Sequence, residues 1–289
     1  MNNSFIFQMD RYNNSLILIT GSSSGIGFNI LKSLLIEISK SDKNDHNLPI
    51  IISIARREVT LEQLNLPQSD VYPKIFKHIK CDISEPESIK NLFDSIQTKL
   101  FPNKNISILI NSAGIAKAVP ILNDIRLTDL TEKDNSFKNA ASAFQKSMDI
   151  NVKGLALMIR KSVEIMDHNK PGYIINVASI ASHRVSKGNS IHFYSATKYA
   201  VKAITEAVRQ ELHFLNSKIR VGQISPGFVN TEFFDNMAVK NDEYYEKIEK
   251  TVPSALKAGD CSEVVLMMLK SDENCQIHDV LFRPRGQID

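Results

Sequence analysis

Apolar and polar positions along this chain alternate on a scale that predicts strands and helices in turn. Short apolar runs are separated by stretches long enough for amphipathic helices. This alternation is typical of an α/β fold with a doubly wound parallel sheet and helices on both faces. About seven strands are predicted, at residues 16–20, 50–55, 75–80, 106–111, 173–179, 219–225 and 279–282.

One predicted helix start, between the third and fourth strands, has a specific signal. Ser84 precedes Pro86 and Glu87, which matches a capping box with proline in the first turn. We therefore expect Ser84 to be the N-cap of a helix. The polar segments 39–49 and 123–139 lie inside the alternation and are predicted to be enlarged surface loops.

Length and composition limit the domain organisation. The chain has 289 residues, of which 43% are apolar and 23% charged, as in ordinary globular proteins. We predict a polar N-terminal leader at 1–14 and a single domain at 15–289. Apolar runs are much shorter than the ~20 residues of a membrane-spanning helix, and the first residues lack a secretory signal pattern. We therefore expect no membrane partner.

Charge and cysteine usage indicate the compartment and exclude some partners. The net charge of +3 comes from 35 basic and 32 acidic residues without a basic block, so no nucleic-acid partner is predicted. The chain has an odd number of cysteines, and none belongs to a CxxC or CxxH pattern. They are Cys81, Cys261 and Cys275. We expect reduced thiols, a cytoplasmic location and no metal site.

The first chemical motif is TGSSSGIG at 20–27, where the first strand ends and a helix begins. Three glycines in this position let the backbone turn sharply and approach a pyrophosphate, while the helix N-terminus supplies amide donors. A plain glycine-serine turn is the alternative. The flanking strand and helix favour a dinucleotide site, formed by Gly21, Ser22, Ser23, Ser24, Gly25, Ile26 and Gly27.

The end of the second strand bears on which dinucleotide binds. Ala55 stands where an acidic residue would accept from a free ribose 2′-hydroxyl, and Arg56 and Arg57 follow it. Their guanidinium groups suit a 2′-phosphate, so NADP(H) is preferred over NAD(H). Two solvated surface arginines are the alternative interpretation. Asp82, after the third strand, is a candidate acceptor for the adenine amino group or a helix N-cap.

The segment HFYSATK at 192–198 places a phenol and an amine four residues apart. Residues i and i+4 share one helix face, so the ammonium of Lys198 can come close to the phenol of Tyr194. A nearby positive charge favours phenolate and would lower the phenol pKa from ~10 toward neutral pH. The pair is therefore a candidate general acid/base.

Five motifs occur in order: TGSSSGIG, NSAG at 111–114, Ser179, YSATK at 194–198, and Pro226-Gly227. Together they resemble the short-chain dehydrogenase/reductase family, from about residue 14 to the C-terminus. The resemblance implies a single-domain Rossmann-type fold and a nicotinamide cofactor. NSAG stands where the family more often has NNAG, and the segment 119–139 is longer than the family needs.

The resemblance also assigns roles to individual residues. It implies that Tyr194 is the acid/base, Lys198 its activator, Ser179 the partner of the substrate oxygen, and Asn151 a support for a proton-relay water. Besides Tyr194 and Lys198 and the residues named above, it places the cofactor against Ile83, Asn111, Ala113, Gly114, Pro226, Gly227, Val229 and Thr231.

The implied reaction is hydride transfer that reduces a small-molecule carbonyl to an alcohol, or the reverse. Phe233, Phe234 and Met237 belong to a predicted lid at 232–250. The ending QIHDVLFRP is similar to the carbonyl-reductase, farnesol-dehydrogenase-like and hydroxy-acid-dehydrogenase branches. These features leave the substrate undetermined. A cofactor-binding scaffold without turnover is the alternative.

An alanine stripe on the Tyr194 helix bears on assembly. Alanines recur at spacings of three or four and would let another helix approach closely. The resemblance implies a homodimer or homotetramer through this helix, and a core-facing stripe is the alternative. His183 and His192 receive no catalytic role. The stripe consists of Ala196, Ala200, Ala203 and Ala207.

Overall fold

The computed structural model describes residues 9–40, 47–122, 130–185, 191–235 and 255–287. Its centre is a seven-stranded sheet in the order β3-β2-β1-β4-β5-β6-β9, and every neighbouring pair is parallel. Its strands are β1 Leu16–Thr20, β2 Ile50–Ala55, β3 Phe76–Lys80, β4 Ile106–Asn111, β5 Gly172–Val177, β6 Ile219–Pro226 and β9 Asp279–Phe282. Two short strands, β7 Val229–Asn230 and β8 Leu256–Lys257, pair separately.

Nine α-helices are present in the described part of the chain. Short π-helical turns extend α4 over Ile96–Leu100 and connect α5 to α6 over Asp149–Gly154, and 3₁₀ turns lie at Met9–Tyr12 and Ile180–Ser182. The α-helices are α1 Gly25–Ile38, α2 Leu61–Leu64, α3 Tyr72–Ile75, α4 Pro86–Ser95, α5 Leu130–Met148, α6 Leu155–Val163, α7 His192–Phe214, α8 Glu232–Asp235 and α9 Ala258–Lys270.

The buried strands show why the alternation of apolar runs is informative. In β1, Ile17 and Ile19 join a core cluster with residues of α1 and α9, while Leu16 and Leu18 join a second cluster with residues of α4, α6 and α7. Successive side chains point to opposite faces of a sheet, so a strand covered on both faces needs a continuous apolar run. The predicted doubly wound sheet with helices on both faces is confirmed.

Strand boundaries agree closely with the predicted ones. Four of the seven strands have the predicted limits, and β3 begins one residue late because Ile75 ends α3. The fifth strand ends at Val177, so Ser179 lies in the turn that follows it. That turn is at the carboxyl edge of the sheet, where ligands of such folds bind.

Two local predictions are wrong. The N-cap of α4 is Glu85, because Ser84 donates its backbone N–H and its hydroxyl to Asp82 Oδ1 at 3.0 and 2.8 Å. The predicted loop at 123–139 is helical from Leu130 onward. Its described residues are mostly exposed, and i,i+4 pairs such as Lys138 with Asp134 (2.6 Å) support it. The rest of that segment lies outside the described residues.

The end of the predicted leader packs against the domain. Tyr12 is fully buried in the core, and Arg11 donates to the carbonyl oxygens of Leu269 and Ser271 at the end of α9. The buried Arg220 of β6 donates to the carbonyl oxygen of Cys275 at 2.9 Å. These contacts fasten the N-terminal end of the described chain to α9 and the segment after α9 to β6.

Other sequence-level expectations concern membranes, thiols and metals. Within the described residues, no helix combines the length and apolar character needed to cross a bilayer. Cys81 and Cys261 are buried, Cys275 is exposed, and all three are free thiols. In the same part of the chain, no group of three His, Cys, Asp or Glu side chains is placed to hold a metal ion.

Candidate active site

A cavity of about 750 Å³ opens at the carboxyl edge of the sheet. Of the residues predicted for catalysis and cofactor binding, all but Ser22, Asn111 and Asn151 line it. The fold therefore brings together residues from 21 to 231 in one concave site. A cavity at this edge is the expected ligand position in a doubly wound sheet.

The glycine motif forms a cradle at one end of the cavity. Gly21 and Gly25 have φ angles of +67° and +56°, in the left-handed region that favours glycine. A Cβ on Gly21 would lie 2.6 Å from the backbone of Ala113. Ser24, the N-cap of α1, makes no side-chain cap hydrogen bond. The first amides of α1 are thus not capped by Ser24, and this geometry fits the pyrophosphate of a dinucleotide.

Two of the predicted cofactor residues face the interior of the protein. The Ser22 hydroxyl is buried and lies 2.7 Å from the Ser53 hydroxyl on β2. Asn111 is also buried, and its Nδ2 donates to Asn176 Oδ1 at 3.0 Å. The Ser22 side chain therefore connects the turn after β1 to β2, and the Asn111 side chain connects β4 to β5.

Arg56 and Arg57 line the cavity where β2 ends, and each has a carboxylate nearby. Arg56 Nη1 lies 3.9 Å from Asp82 Oδ2, and Arg57 Nη2 lies 3.6 Å from Glu232 Oε2. Arg57 Nε also donates to Ser23 Oγ at 3.4 Å. The arginine side chains are 57% and 62% exposed, so these ion pairs are screened by water and readily exchanged.

Asp82 is held as a carboxylate by its surroundings. Burial raises the pKa of Asp82, but hydrogen bonds from the backbone and hydroxyl of Ser84, with the charges of Arg56 and Lys146, outweigh it. The net pKa lies below the ordinary value. Asp82 therefore remains a hydrogen-bond acceptor on the cavity wall, as its predicted contact with adenine requires.

Ser179 and Tyr194 meet at the other end of the cavity. The Ser179 hydroxyl lies close enough to the Tyr194 phenol to lower the phenol pKa. Ser179 Oγ also accepts from the backbone N–H of Ala181 at 3.1 Å, within the turn after β5. Because the Ser179 oxygen accepts this hydrogen bond, its own hydroxyl proton remains available for donation. Ser179 can therefore polarise an oxygen atom placed beside Tyr194.

Lys198 lies behind the phenol, one helical turn along α7. Its Nζ is 5.7 Å from the centre of the Tyr194 ring and donates to the carbonyl oxygen of Val177 at 2.8 Å. Burial lowers the pKa of Lys198 from 10.5 to about 8. The proximity that the i,i+4 spacing predicts is present, and the amine is close to its titration range at neutral pH.

The pKa of the Tyr194 phenol is raised, whereas the sequence predicts that it is lowered. Burial raises the pKa of Tyr194 above its ordinary value, and the nearby Ser179 hydroxyl only partly offsets this. A group taken out of water favours its neutral form. The protein alone thus keeps Tyr194 protonated, which suits donation of a proton.

Asn151 organises the site from outside the cavity. This buried residue lies in the π-helical turn before α6, and its amide pairs with both backbone groups of Ile115, each at 2.8 Å. Its Nδ2 also donates to Thr197 Oγ1 at 3.0 Å. Thr197 in turn donates to the carbonyl oxygen of Tyr194 at 2.8 Å. Asn151 therefore fixes the NSAG loop to α7, and its contact with a relay water stays a prediction.

The loop after β6 is held by the C-terminal segment. The Gly227 N–H donates to the carbonyl oxygen of Phe282 at 2.7 Å, and the Phe228 N–H donates to Gln287 Oε1 at 2.9 Å. Gln287 lines the cavity although no sequence motif points to it. Thr231 lies next to the glycine motif: a Cβ built on Gly25 would be 3.4 Å from the Thr231 side chain.

Several cavity residues were not predicted from the sequence, and part of the predicted lid cannot be placed. Lys117, Lys146 and Arg184 line the cavity, but as single basic residues outside any motif they carry no signal of their own. Phe233 also lines it and lies 5.8 Å from Tyr194 between ring centroids. The lid from 236 to 250, including Met237, and the side chain of Phe234 lie outside what the structure describes.

Known proteins resemble this chain over nearly its whole length. The family model described as short chain dehydrogenase matches residues 15–242. Dehydrogenase/reductase SDR family member 11 of Bos taurus is 31% identical over 287 residues, which cover 97% of this chain and 100% of the relative. Farnesol dehydrogenase of Aedes aegypti is 30% identical over 282 residues, which cover 96% and 99%.

A solved structure agrees in fold. The closed form of a serine dehydrogenase complexed with NADP⁺ has a TM-score of 0.71 at 24% identity, covering 94% of this chain and 96% of that one. The family match and the relatives lead to one assignment. This chain belongs to the short-chain dehydrogenase/reductase family of nicotinamide-dependent oxidoreductases, in the farnesol-dehydrogenase-like branch.

Proposed function

We propose that this protein is an NADP(H)-dependent oxidoreductase that reduces a carbonyl to an alcohol or catalyses the reverse reaction. The observation that carries the proposal is that Ser179, Tyr194 and Lys198 line one cavity, with the Lys198 amine 5.7 Å from the centre of the phenol ring. The arrangement offers two hydroxyl donors to one substrate oxygen. It also leaves room in the same cavity for a dinucleotide.

The protein side chains handle the proton and the substrate oxygen. A bound NADPH would supply the hydride to the carbonyl carbon. Ser179 and Tyr194 donate hydrogen bonds to the carbonyl oxygen and so stabilise the negative charge that develops there. Tyr194 then gives its proton to that oxygen, and the charge on Lys198 stabilises the phenolate that remains. Oxidation of an alcohol uses the same groups in the opposite order.

The preference for NADP(H) is supported by the charges at the end of β2. Ala55 provides no carboxylate to bind a free 2′-hydroxyl, while Arg56 and Arg57 both line the cavity there. The long ion pairs with Asp82 and Glu232 leave these guanidinium groups able to change partner. Each charge-assisted hydrogen bond to a phosphate is worth about 1.5 to 3 kcal/mol before screening by salt.

We also propose a homodimer or homotetramer and a cytoplasmic location. On α7, Ala196, Ala203 and Ala207 are exposed, which argues against a stripe that faces the core of the same chain. Small exposed residues on one helix face suit close approach by a helix of another copy. The cytoplasmic proposal rests on the three free thiols, which suit a reducing compartment.

A coupled assay of both directions tests the proposal. Purified protein would be screened for NADPH oxidation with ketones, aldehydes and diones, and for NADP⁺ reduction with secondary alcohols. We expect turnover with at least one carbonyl. Tight binding of NADPH without turnover across the panel would instead favour a cofactor-binding scaffold, and no binding of either nicotinamide cofactor would contradict both.

A further inference from the structure

Ser179 and His183 lie at the two ends of one short turn. Ser179 is the N-cap of the 3₁₀ turn Ile180–Ser182, and His183 is its C-cap. The backbone N–H of Ser182 donates to the carbonyl oxygen of Ser179 at 2.8 Å, and that of His183 donates to the carbonyl oxygen of Ile180 at 3.0 Å. Because these hydrogen bonds span the whole turn, the position of the Ser179 hydroxyl depends on where His183 is held.

One side of the His183 ring contacts the sheet. Its Nε2 lies 2.8 Å from Asp279 Oδ2 on the edge strand β9 and 3.3 Å from Ser225 Oγ on β6. Gln223 Nε2, also on β6, donates to the same Asp279 oxygen at 2.6 Å. The side chains of His183 and Asp279 are only 25% and 21% exposed, so water competes weakly for their contact. A hydrogen bond to a carboxylate is also stronger than one between neutral groups.

The other side of the ring contacts α7. Lys202 Nζ lies 3.2 Å from His183 Nδ1. An ammonium group only donates and a carboxylate only accepts, so a neutral imidazole with its proton on Nε2 satisfies both neighbours of His183. Lys202 follows Lys198 by four residues on the same face of α7. His183 therefore joins the Ser179 turn to the helix that carries Tyr194.

We propose that His183 is a positioning residue, which holds the Ser179 hydroxyl beside Tyr194 by donating from Nε2 to Asp279. His183 does not line the cavity, so it acts through the turn rather than on the reacting atoms. A displacement of a reacting group by about 1 Å can lower a rate about 10²-fold. The contact with β9 thus makes the edge strand part of what sets the geometry of the substrate oxygen site.

This inference rests on the proposed function and is tested with two amide side chains that differ by one methylene. His183→Gln places its Nε2 near that of the imidazole and can still donate to Asp279, whereas the shorter His183→Asn cannot reach it. NADPH oxidation would be measured with the best carbonyl substrate. We expect His183→Gln to keep about half of the wild-type kcat or more, and His183→Asn to lose about fivefold or more. NADPH affinity should change less than about twofold in both variants.

A Ser179→Ala background shows whether the effect passes through Ser179. There His183→Asn should lower the rate less than about twofold, because no hydroxyl remains to be positioned. Slow reduction in this background would be followed in single turnovers, with enzyme in excess over NADPH. A loss that arises only from a weakened fold would lower the rate by the same factor in both backgrounds.

Two further variants serve as a second approach and a control. Asp279→Ala removes the acceptor instead of the donor and should lower kcat by a factor similar to that of His183→Asn. His168→Asn makes the matched change at a half-buried histidine before β5, whose Nε2 lies 3.3 Å from the carbonyl oxygen of Val163. It should keep the wild-type kcat. Thermal melting would show that each variant is folded at the assay temperature.

The outcomes separate this inference from the proposed function. If the wild-type protein turns over a carbonyl but His183→Asn and Asp279→Ala keep more than half of its kcat, the inference is wrong while the proposed function stands. The same holds if His183→Gln is impaired as much as His183→Asn, or if His183→Asn costs as much without the Ser179 hydroxyl as with it. Absence of wild-type turnover with every carbonyl would overturn both.

Discussion

Lys198 and Tyr194 are one helical turn apart on α7, and the Lys198 ammonium nitrogen lies 5.7 Å from the centre of the phenol ring. Burial has opposite effects on the two pKa values: it lowers that of the amine to about 8 and raises that of the phenol. Burial therefore shifts both groups toward their neutral forms in the cofactor-free protein, although the Lys198 amine still carries most of its charge at pH 7. The negative charges of a bound dinucleotide would favour the charged form of Lys198.

The lowered pKa of Lys198 predicts a pH dependence of stability. The folded protein releases this proton near pH 8 and the unfolded chain near 10.5, so between these values the unfolded chain binds more protons. The free energy of unfolding therefore rises with pH in this window. The free energy of unfolding would be measured with urea at pH 7.5 and 9.5. It should rise more between these pH values in wild type than in Lys198→Met. A constant difference between the two proteins would contradict the assignment.

Cofactor choice is the second prediction. With Arg56 and Arg57 at the end of β2, NADPH should bind at least tenfold more tightly than NADH, since about 1.4 kcal/mol corresponds to tenfold. The double change Ala55→Asp with Arg56→Gln should reverse the order, because a carboxylate repels the phosphate and accepts from free hydroxyls. Isothermal titration of both cofactors into both proteins is the measurement. Equal wild-type affinities would show that the arginines are only solvated charges.

Glu232 provides a sharper test of Arg57. Its carboxylate lies 3.6 Å from Arg57 Nη2, so a 2′-phosphate has to compete with it for the same guanidinium. Exposed ion pairs are worth about 0.2 to 1 kcal/mol. Glu232→Gln should therefore tighten NADPH binding about 1.5- to 5-fold and change NADH binding much less.

The control for that variant is Glu62→Gln, since Glu62 is exposed on α2 and does not line the cavity. It should leave the affinity for both cofactors unchanged. Weaker NADPH binding in Glu232→Gln would mean that Glu232 supports the bound cofactor rather than competing with it.

Arg220 carries the fourth prediction, which concerns stability. Its Nη1 donates to Ser271 Oγ at 2.7 Å and to the carbonyl oxygens of Asp272 and Cys275, and its guanidinium lies 4.3 Å from the Tyr173 ring centre. Arg220→Met would leave these acceptors without their donor at a cost of about 2 kcal/mol or more. We expect the melting temperature to fall by roughly 4 °C or more.

A matched surface change calibrates the Arg220 result. Arg209→Met removes an arginine that pairs with Glu206 on the outside of α7, at 2.7 Å. It should shift the melting temperature little, because exposed pairs contribute little to stability. Similar shifts in the two variants would show that the buried contacts of Arg220 are not important for the fold.

The sequence allowed the sheet and the cavity wall to be predicted for physical reasons. Central strands such as β1 are buried on both faces and must be continuously apolar, so their limits are visible in the pattern. The glycines of the phosphate loop are likewise visible, because the φ angles of Gly21 and Gly25 lie in the left-handed region that glycine adopts most readily.

Other features could not be predicted because they depend on distant contacts or side-chain direction. Gln287 reaches Phe228 across 59 positions, and the partner of Arg57 is Glu232, far along the chain. Asn111 lies in a motif that forms part of the site, yet its side chain is directed at Asn176 within the sheet. Residue type and spacing do not reveal which way such a side chain points.

The central claim is that Tyr194 gives the proton to the substrate oxygen. Tyr194→Phe keeps the ring beside Phe233 and removes the hydroxyl, whereas Tyr199→Phe makes the same change at an exposed position of α7. NADPH oxidation with the best carbonyl substrate, together with NADPH titration, is the most direct measurement. We predict that Tyr194→Phe lowers turnover by about 10²-fold or more with near-normal NADPH affinity while Tyr199→Phe stays active. More than a tenth of wild-type turnover in Tyr194→Phe would contradict the account.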